Sequence, residues 1–341
     1  MKRLIVLLLT LVLVLAACGG GGDSASNAED GEFKEQTWKI GFNTVEGSVR
    51  DVAAKKFKET VEAETDGAVT VEIYPNEELG SAQEMIESVQ VGALDMQIAG
   101  ANMMANTIPE YATLSLPFLV KDFDEAHAVL DSEIGDKLKA MGEEQGIKVL
   151  SDVELGFAQI TNNVHPINKP EDLEGLKMRS PNDKSLIETF KALGSSVSTM
   201  PFTEVYLALS QGVVDGQFNP LDAIYETKFH EVQDHLALLN LTYYYSYFIM
   251  NQGAFDGLDP ELQKIVQKAA NEARDASYEF TANKDEEMLK QMEDSFVEIT
   301  EPDVAPFQEA VKPVYTKMED VIDPELIKEV ETFLEEYRSE Q

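Results

Sequence analysis

Apolar residues recur along this chain with two periods, and the switch between them marks its elements. Trp38, Ile40 and Phe42 are apolar at every second position, which predicts a strand over 37–43 with Asn43 at its carboxyl end. Ala53, Phe57 and Val61 follow at helical spacing. Val69, Val71 and Ile73 return to alternation and predict a second strand that stops at Pro75. Ser81 and Glu84 have capping-box spacing ahead of Met85, Ile86 and Val89. Gly92 ends that helix, and Leu94, Met96 and Ile98 predict a third strand.

The same succession returns later. Residues 176–179 read as a strand stopping at Pro181, and Leu186, Ile187, Phe190 and Leu193 as a helix with Gly194 just past its end. A strand-like piece around Val197 meets Pro201. Val205, Ala208 and Leu209 form a short helix closed by Gly212, and Val213 and Val214 open another strand. In both stretches a helix ends in Gly-x-x-Asp, at Gly92 to Asp95 and at Gly212 to Asp215. Strands alternating with short helices predict parallel sheets, and the repetition predicts two similar α/β lobes. Ligands of such sheets bind beyond the carboxyl ends of the strands, where Arg179 and Asn219 fall. From Pro260 to about Phe296 the chain lacks Pro and Gly while Leu262, Ile265, Val266, Ala269, Ala273 and Ala276 keep helical spacing. A continuous helix there would span roughly 55 Å, longer than one small lobe. Asp323 and Pro324 fit the cap and first position of a last helix carrying Leu326, Ile327, Val330, Phe333 and Leu334.

The amino-terminal pattern is different. Lys2 and Arg3 precede an almost wholly apolar run to Leu15, and Leu15-Ala16-Ala17-Cys18 follows. This predicts an export signal over 1–17 ending in a lipoprotein cleavage box, since the run is shorter than the ~20 residues of a membrane span. Cys18 is the only cysteine and stands where lipid would be attached to hold the protein on the cell membrane. The polar, glycine-rich stretch 18–35 reads as a flexible tether. With no cysteine left for a disulfide, stability must come from a hydrophobic core. The formal charge of −36 reads as a solvated acidic surface and argues against nucleic acid or an anionic membrane surface as partner.

A family resemblance extends from about Trp38 to about Leu262. YPNEELGS at 74–81, MRSPN at 178–182 and MPFTEVYLALSQGVVDGQFNP at 200–220 are similar to the DctP family, the solute-binding proteins of tripartite ATP-independent periplasmic (TRAP) transporters. The resemblance implies an α/β, two-lobe periplasmic-binding-protein-like fold, with the ligand cleft between the lobes and a long helix bridging both. Residues 36–156 with 245–284 would form the first lobe, and 157–244 with 285–341 the second. It implies that Arg179 grips a ligand carboxylate, a planar fork suited to that group, that Asn219 reads an oxygen, and that Phe202 packs over the ligand. Asn43, Asn102 and Tyr243, one of three successive tyrosines, are further pocket candidates. Read without the family, an Arg before Pro is a surface residue, Asn219 a turn former and Phe202 a core residue. Family members often carry a second arginine where this chain has Ala158. That departure implies a missing second charge and favours a monocarboxylate, such as a hydroxylated sugar acid, over a small dicarboxylate.

No nucleophile elbow, phosphate-binding loop or zinc-type His/Cys cluster is evident. The expected protein is therefore not an enzyme, and no cofactor site or metal-ligating residue is assigned to it. It is an extracytoplasmic, lipid-anchored receptor that delivers a small-molecule carboxylate to the small and large membrane subunits of a TRAP permease. A receptor serving a sensory kinase and a secreted enzyme on a similar two-lobe fold are the rival readings.

Overall fold

The computed structural model describes residues 33–341; the expected signal segment, Cys18 and the tether up to residue 32 lie outside the described residues. In chain order the strands are β1 (Gln36–Gly41), β2 (Val69–Tyr74), β3 (Met96–Gly100), β4 (Ile147–Phe157), β5 (Gln159–Asn162), β6 (Lys177–Ser180), β7 (Ser196–Thr199), β8 (Gly216–Asn219), β9 (His235–Ala237), β10 (Tyr243–Asn251) and β11 (Glu298–Thr300). They form two mixed sheets with orders β2-β1-β3-β10-β4 and β11-β9-β5-β8-β6-β7. Each sheet contains a parallel triplet of the same order, with β1 between β2 and β3, and β6 between β7 and β8. Each triplet then meets an antiparallel strand, β10 in the first sheet and β5 in the second. The sequence repetition is thus a repetition of topology.

The Gly-x-x-Asp device has the same structural role twice. Gly92 and Gly212 turn the chain at φ 74° and 67°, a region glycine enters without steric cost. Asp95 Oδ2 then accepts the Lys39 N–H of β1 at 2.9 Å, and Asp215 Oδ2 accepts the Lys177 N–H of β6 at 2.8 Å. Each aspartate, entering the third strand of its triplet, holds the opening strand in register. The expected strand starts differ here: Leu94, Val213 and Val214 lie in these turns, and β3 and β8 begin at Met96 and Gly216. Leu94 and Val214 are nonetheless buried; their apolar character serves the core rather than a ladder.

The chain passes between the sheets at Ala158, which separates β4 from β5, and again between β9 and β10. Ala158 N–H donates to Thr242 at 2.9 Å and its carbonyl accepts from Leu241 at 3.0 Å, so the two crossings are bonded to each other. The helix Pro260–Met292, 33 residues long and so about 50 Å, joins the two halves. Leu262, Val266, Ala269 and Ala273 pack with Trp38, Phe57 and Phe248 against the first sheet, while Met292 packs with Leu221 and Ile224 beside the second. It ends at Met292 and gives way to a 3-10 turn at Glu293–Ser295, a few residues short of the expected Phe296. The capping box at Ser81 and Glu84 is formed, and Asp323 caps the last helix, Pro324–Glu340.

Candidate functional site

Parallel strands aligned in each triplet bring their carboxyl ends to one rim, and both rims face a single cavity of about 280 Å³. The first triplet contributes Asn43 and Thr44 after β1, Glu77 after β2, and Gly100 and Asn102 at the end of β3. The second contributes Arg179 from β6, Met200 and Phe202 after β7, Asn219 at the end of β8 and Asp222 after it. The walls also touch: Thr203 Oγ1 donates to Glu77 Oε2 at 2.7 Å, and the Val49 N–H donates to Asp222 Oδ2 at 3.4 Å.

Arg179 is 3% exposed. Its Nη2 donates to the Met200 carbonyl at 2.8 Å, its Nε has no partner, and its guanidinium carbon lies 5.9 Å from the Phe202 ring centroid. Burial lowers its pKa to about 10, which leaves it charged at neutral pH. A buried cation bonded to a carbonyl rather than to a carboxylate is suited to an anion supplied from outside. Asn219 ends β8 buried, with its amide donating to Gln217 Oε1. Phe202 is half-buried, its ring meeting Phe229 edge-on at 5.8 Å. Asn43 is half-buried on the rim. Asn102 Nδ2 donates to the Tyr244 hydroxyl at 3.1 Å. Beside it, Asp183 caps the helix Lys184–Ala192 through the Leu186 N–H, and burial pushes its pKa up to about 6.

Tyr243 is placed elsewhere. It is fully buried, its hydroxyl 3.3 Å from Glu154 Oε2 and its ring 5.5 Å from that of Phe157. Tyr244 is the tyrosine that lines the cavity. Successive side chains of a strand point to opposite faces, and a run of three tyrosines carries no pattern to say which face is which. Ala158 also lies away from the cavity, buried in the crossing. The expectation that a second fixed positive charge is missing is corrected by Arg50, which lines the cavity 6% exposed with Nε donating to Ser246 Oγ at 3.0 Å. Its signal was in the sequence: Arg50 stands at i to Ala53, Ala54 and Phe57 at i+3, i+4 and i+7, on the buried face of the helix Val49–Glu64. Asp222 and Glu77 had no such mark. Among the described residues, no group of three or more His, Cys, Asp or Glu is placed to hold a metal ion.

Known proteins are similar to this chain. The chain is 36% identical over 277 residues to the 2,3-diketo-L-gulonate-binding periplasmic protein YiaO of Escherichia coli, covering 81% of this chain and 84% of that protein. It is 34% identical over 282 residues to the C4-dicarboxylate-binding periplasmic protein DctP of Rhodobacter capsulatus, covering 81% and 84%. A TRAP periplasmic solute binding protein from a Polaromonas species, bound to D-erythronate, superposes with a TM-score of 0.84 at 31% identity, covering 87% of this chain and 98% of that one. With a family model matching over residues 41–320, the chain belongs to the DctP family, the bacterial extracellular solute-binding proteins of family 7.

Proposed function

We propose that this protein is the receptor of a TRAP transporter, that it takes up an organic acid in the cavity between its two sheets, and that it passes the acid to a permease of a small and a large membrane subunit. Arg179 carries the reading: it is a buried guanidinium at the carboxyl end of a parallel strand, open on one side to the cavity. In this reading Arg179 holds the carboxylate, Asn219 an adjacent oxygen, Phe202 the apolar face, and Asn43 and Asn102 the opposite wall. The names of the relatives support an acid as cargo, since they cite a keto sugar acid, C4-dicarboxylates and an aldonate. We further propose that lipid on Cys18 holds the receptor at the outer face of the cell membrane, a reading that rests on the sequence around Cys18 alone.

Calorimetry of the domain beginning near Glu32 tests the first part. Ligand binding is expected to fall at least tenfold in Arg179→Ala, since truncating one partner of a buried charge pair typically costs ~2–5 kcal/mol and about 1.4 kcal/mol is already tenfold, with melting unchanged in the ligand-free protein. Unchanged affinity for a carboxylate would remove Arg179 from its role. For the anchor, Cys18→Ser is expected to move the protein from the membrane to the soluble fraction; membrane retention with the signal segment cleaved would count against it.

A further inference from the structure

Arg179 accounts for one end of a ligand and leaves unexplained the place where the two walls meet at Val49 and Asp222. There Arg50 enters from the helix Val49–Glu64, and Asp222 from the helix Leu221–Glu226 that follows β8. Both line the cavity, 6% and 4% exposed. Ser246 Oγ takes the Nε hydrogen of Arg50, which leaves the terminal nitrogens as donors. Beside them a Cβ at Gly100 would come within 2.6 Å of Asn102 Oδ1, so the glycine leaves space for Asn102. Asp222 Oδ2 meets the Val49 N–H at a long 3.4 Å, and Asp222 Oδ1 is buried with no partner. An unpaired buried acceptor is costly and calls for a donor.

We propose that Arg50 and Asp222 form a donor–acceptor pair that reads the hydroxyl groups of the ligand's tail, so that the cavity selects a polyhydroxylated monocarboxylate over a dicarboxylate. The inference rests on the reading of Arg179 as the carboxylate anchor. A hydroxyl both donates and accepts. Neighbouring hydroxyls can therefore give a hydrogen to Asp222 Oδ1 while an oxygen takes one from Arg50. A second carboxylate at neutral pH has no hydrogen to give to Asp222 Oδ1. Burial holds the Asp222 pKa up at about 7 in the empty cavity, as expected of a carboxylate still lacking its donors. Arg50 therefore restores a second cation to the cavity and, through Asp222, directs it towards hydroxyls rather than a second acid.

The test is calorimetry with four- to six-carbon aldonates, the aldarates of the same carbon skeletons, and fatty acids of the same lengths. The expected order for the wild type is an aldonate at least tenfold tighter than its aldarate or the matching fatty acid. Arg50→Gln is expected to weaken the aldonate at least tenfold and the fatty acid by less than twofold. A merely structural role for Arg50 would weaken both alike. The isosteric Asp222→Asn is expected to shrink the aldonate-to-aldarate preference at least tenfold, and circular dichroism and melting check that both variants fold. An aldarate bound more tightly than its aldonate, an unchanged preference in Asp222→Asn, or binding of some carboxylate but no aldonate would each overturn the pair while leaving the receptor reading intact. Binding of no carboxylate would instead overturn the receptor reading and the pair with it, and an acid affinity indifferent to Arg179→Ala would remove the anchor on which the pair rests.

Discussion

The two parallel triplets, β1 to β3 and β6 to β8, share strand order and the Gly-x-x-Asp turn, yet they equip the cavity in different ways. The second triplet places its cation on a strand: Arg179 lies within β6, four residues before the helix cap Asp183. The first triplet has no arginine on a strand and brings Arg50 in from the helix behind β1. The shared device is the turn and its aspartate, which set where the strands end. What stands at those ends differs between the triplets. The common scaffold therefore fixes where a ligand can sit, while unlike side chains on its two rims decide what it can be.

That comparison can be broken. The largest effect is expected from the turns. Gly92→Ala and Gly212→Ala each force a side chain into the left-handed region, at about 1–2 kcal/mol. A Cβ at Gly212 would meet no atom within 4 Å, and one at Gly92 only Asn251 at 3.5 Å or beyond, so backbone strain alone should set both costs. Urea unfolding is expected to show nearly equal losses; a loss in one repeat alone would mean that the turns are not equivalent. Next come Asp95→Ala and Asp215→Ala, each removing one bond to the opening strand. About 1 kcal/mol apiece is expected, and a null result at either would deny that aspartate its role in register.

The smallest effect sharpens the contrast through pH. Burial raises Asp183 to about 6 and Asp222 to about 7, both after strands of the second triplet. In the unfolded chain such groups titrate near 3.9. Between about pH 4 and 7 the folded state thus keeps protons that the unfolded state has released, and stability falls as pH rises through that window. Asp222 faces Arg50, Glu226 and Asp285, and Asp285 is itself raised to about 7 by burial. Melting is expected to be higher at pH 5.5 than at pH 8. Asp222→Asn should narrow that difference by about 2 °C in a domain of about 300 residues. An undiminished difference in Asp222→Asn would assign the pH dependence to other groups.

The amino-acid sequence by itself determined what is local. Alternation and helical spacing placed both triplets, the capping box at Ser81 and Glu84, the cap at Asp323 and the paired Gly-x-x-Asp turns, because these depend on residues a few positions apart and on rules of backbone geometry. Arg179, Asn219 and Phe202 were legible because they stand in one compact block whose motif survives as a string. Only the tertiary structure decided the rest. Leu94 and Val214 are apolar for the core and lie outside the ladders, a distinction set by partners far along the chain. Tyr244 rather than Tyr243 reaches the cavity because pairing of β10 with β3 and β4 sets which face turns inward. Arg50 and Asp222 stand 172 positions apart in number and meet the same cavity only because the chain crosses between its sheets and places one rim over the other. Burial, and with it the charge state and unmet hydrogen bonds that give a site its chemistry, belongs to that assembly and to no single segment.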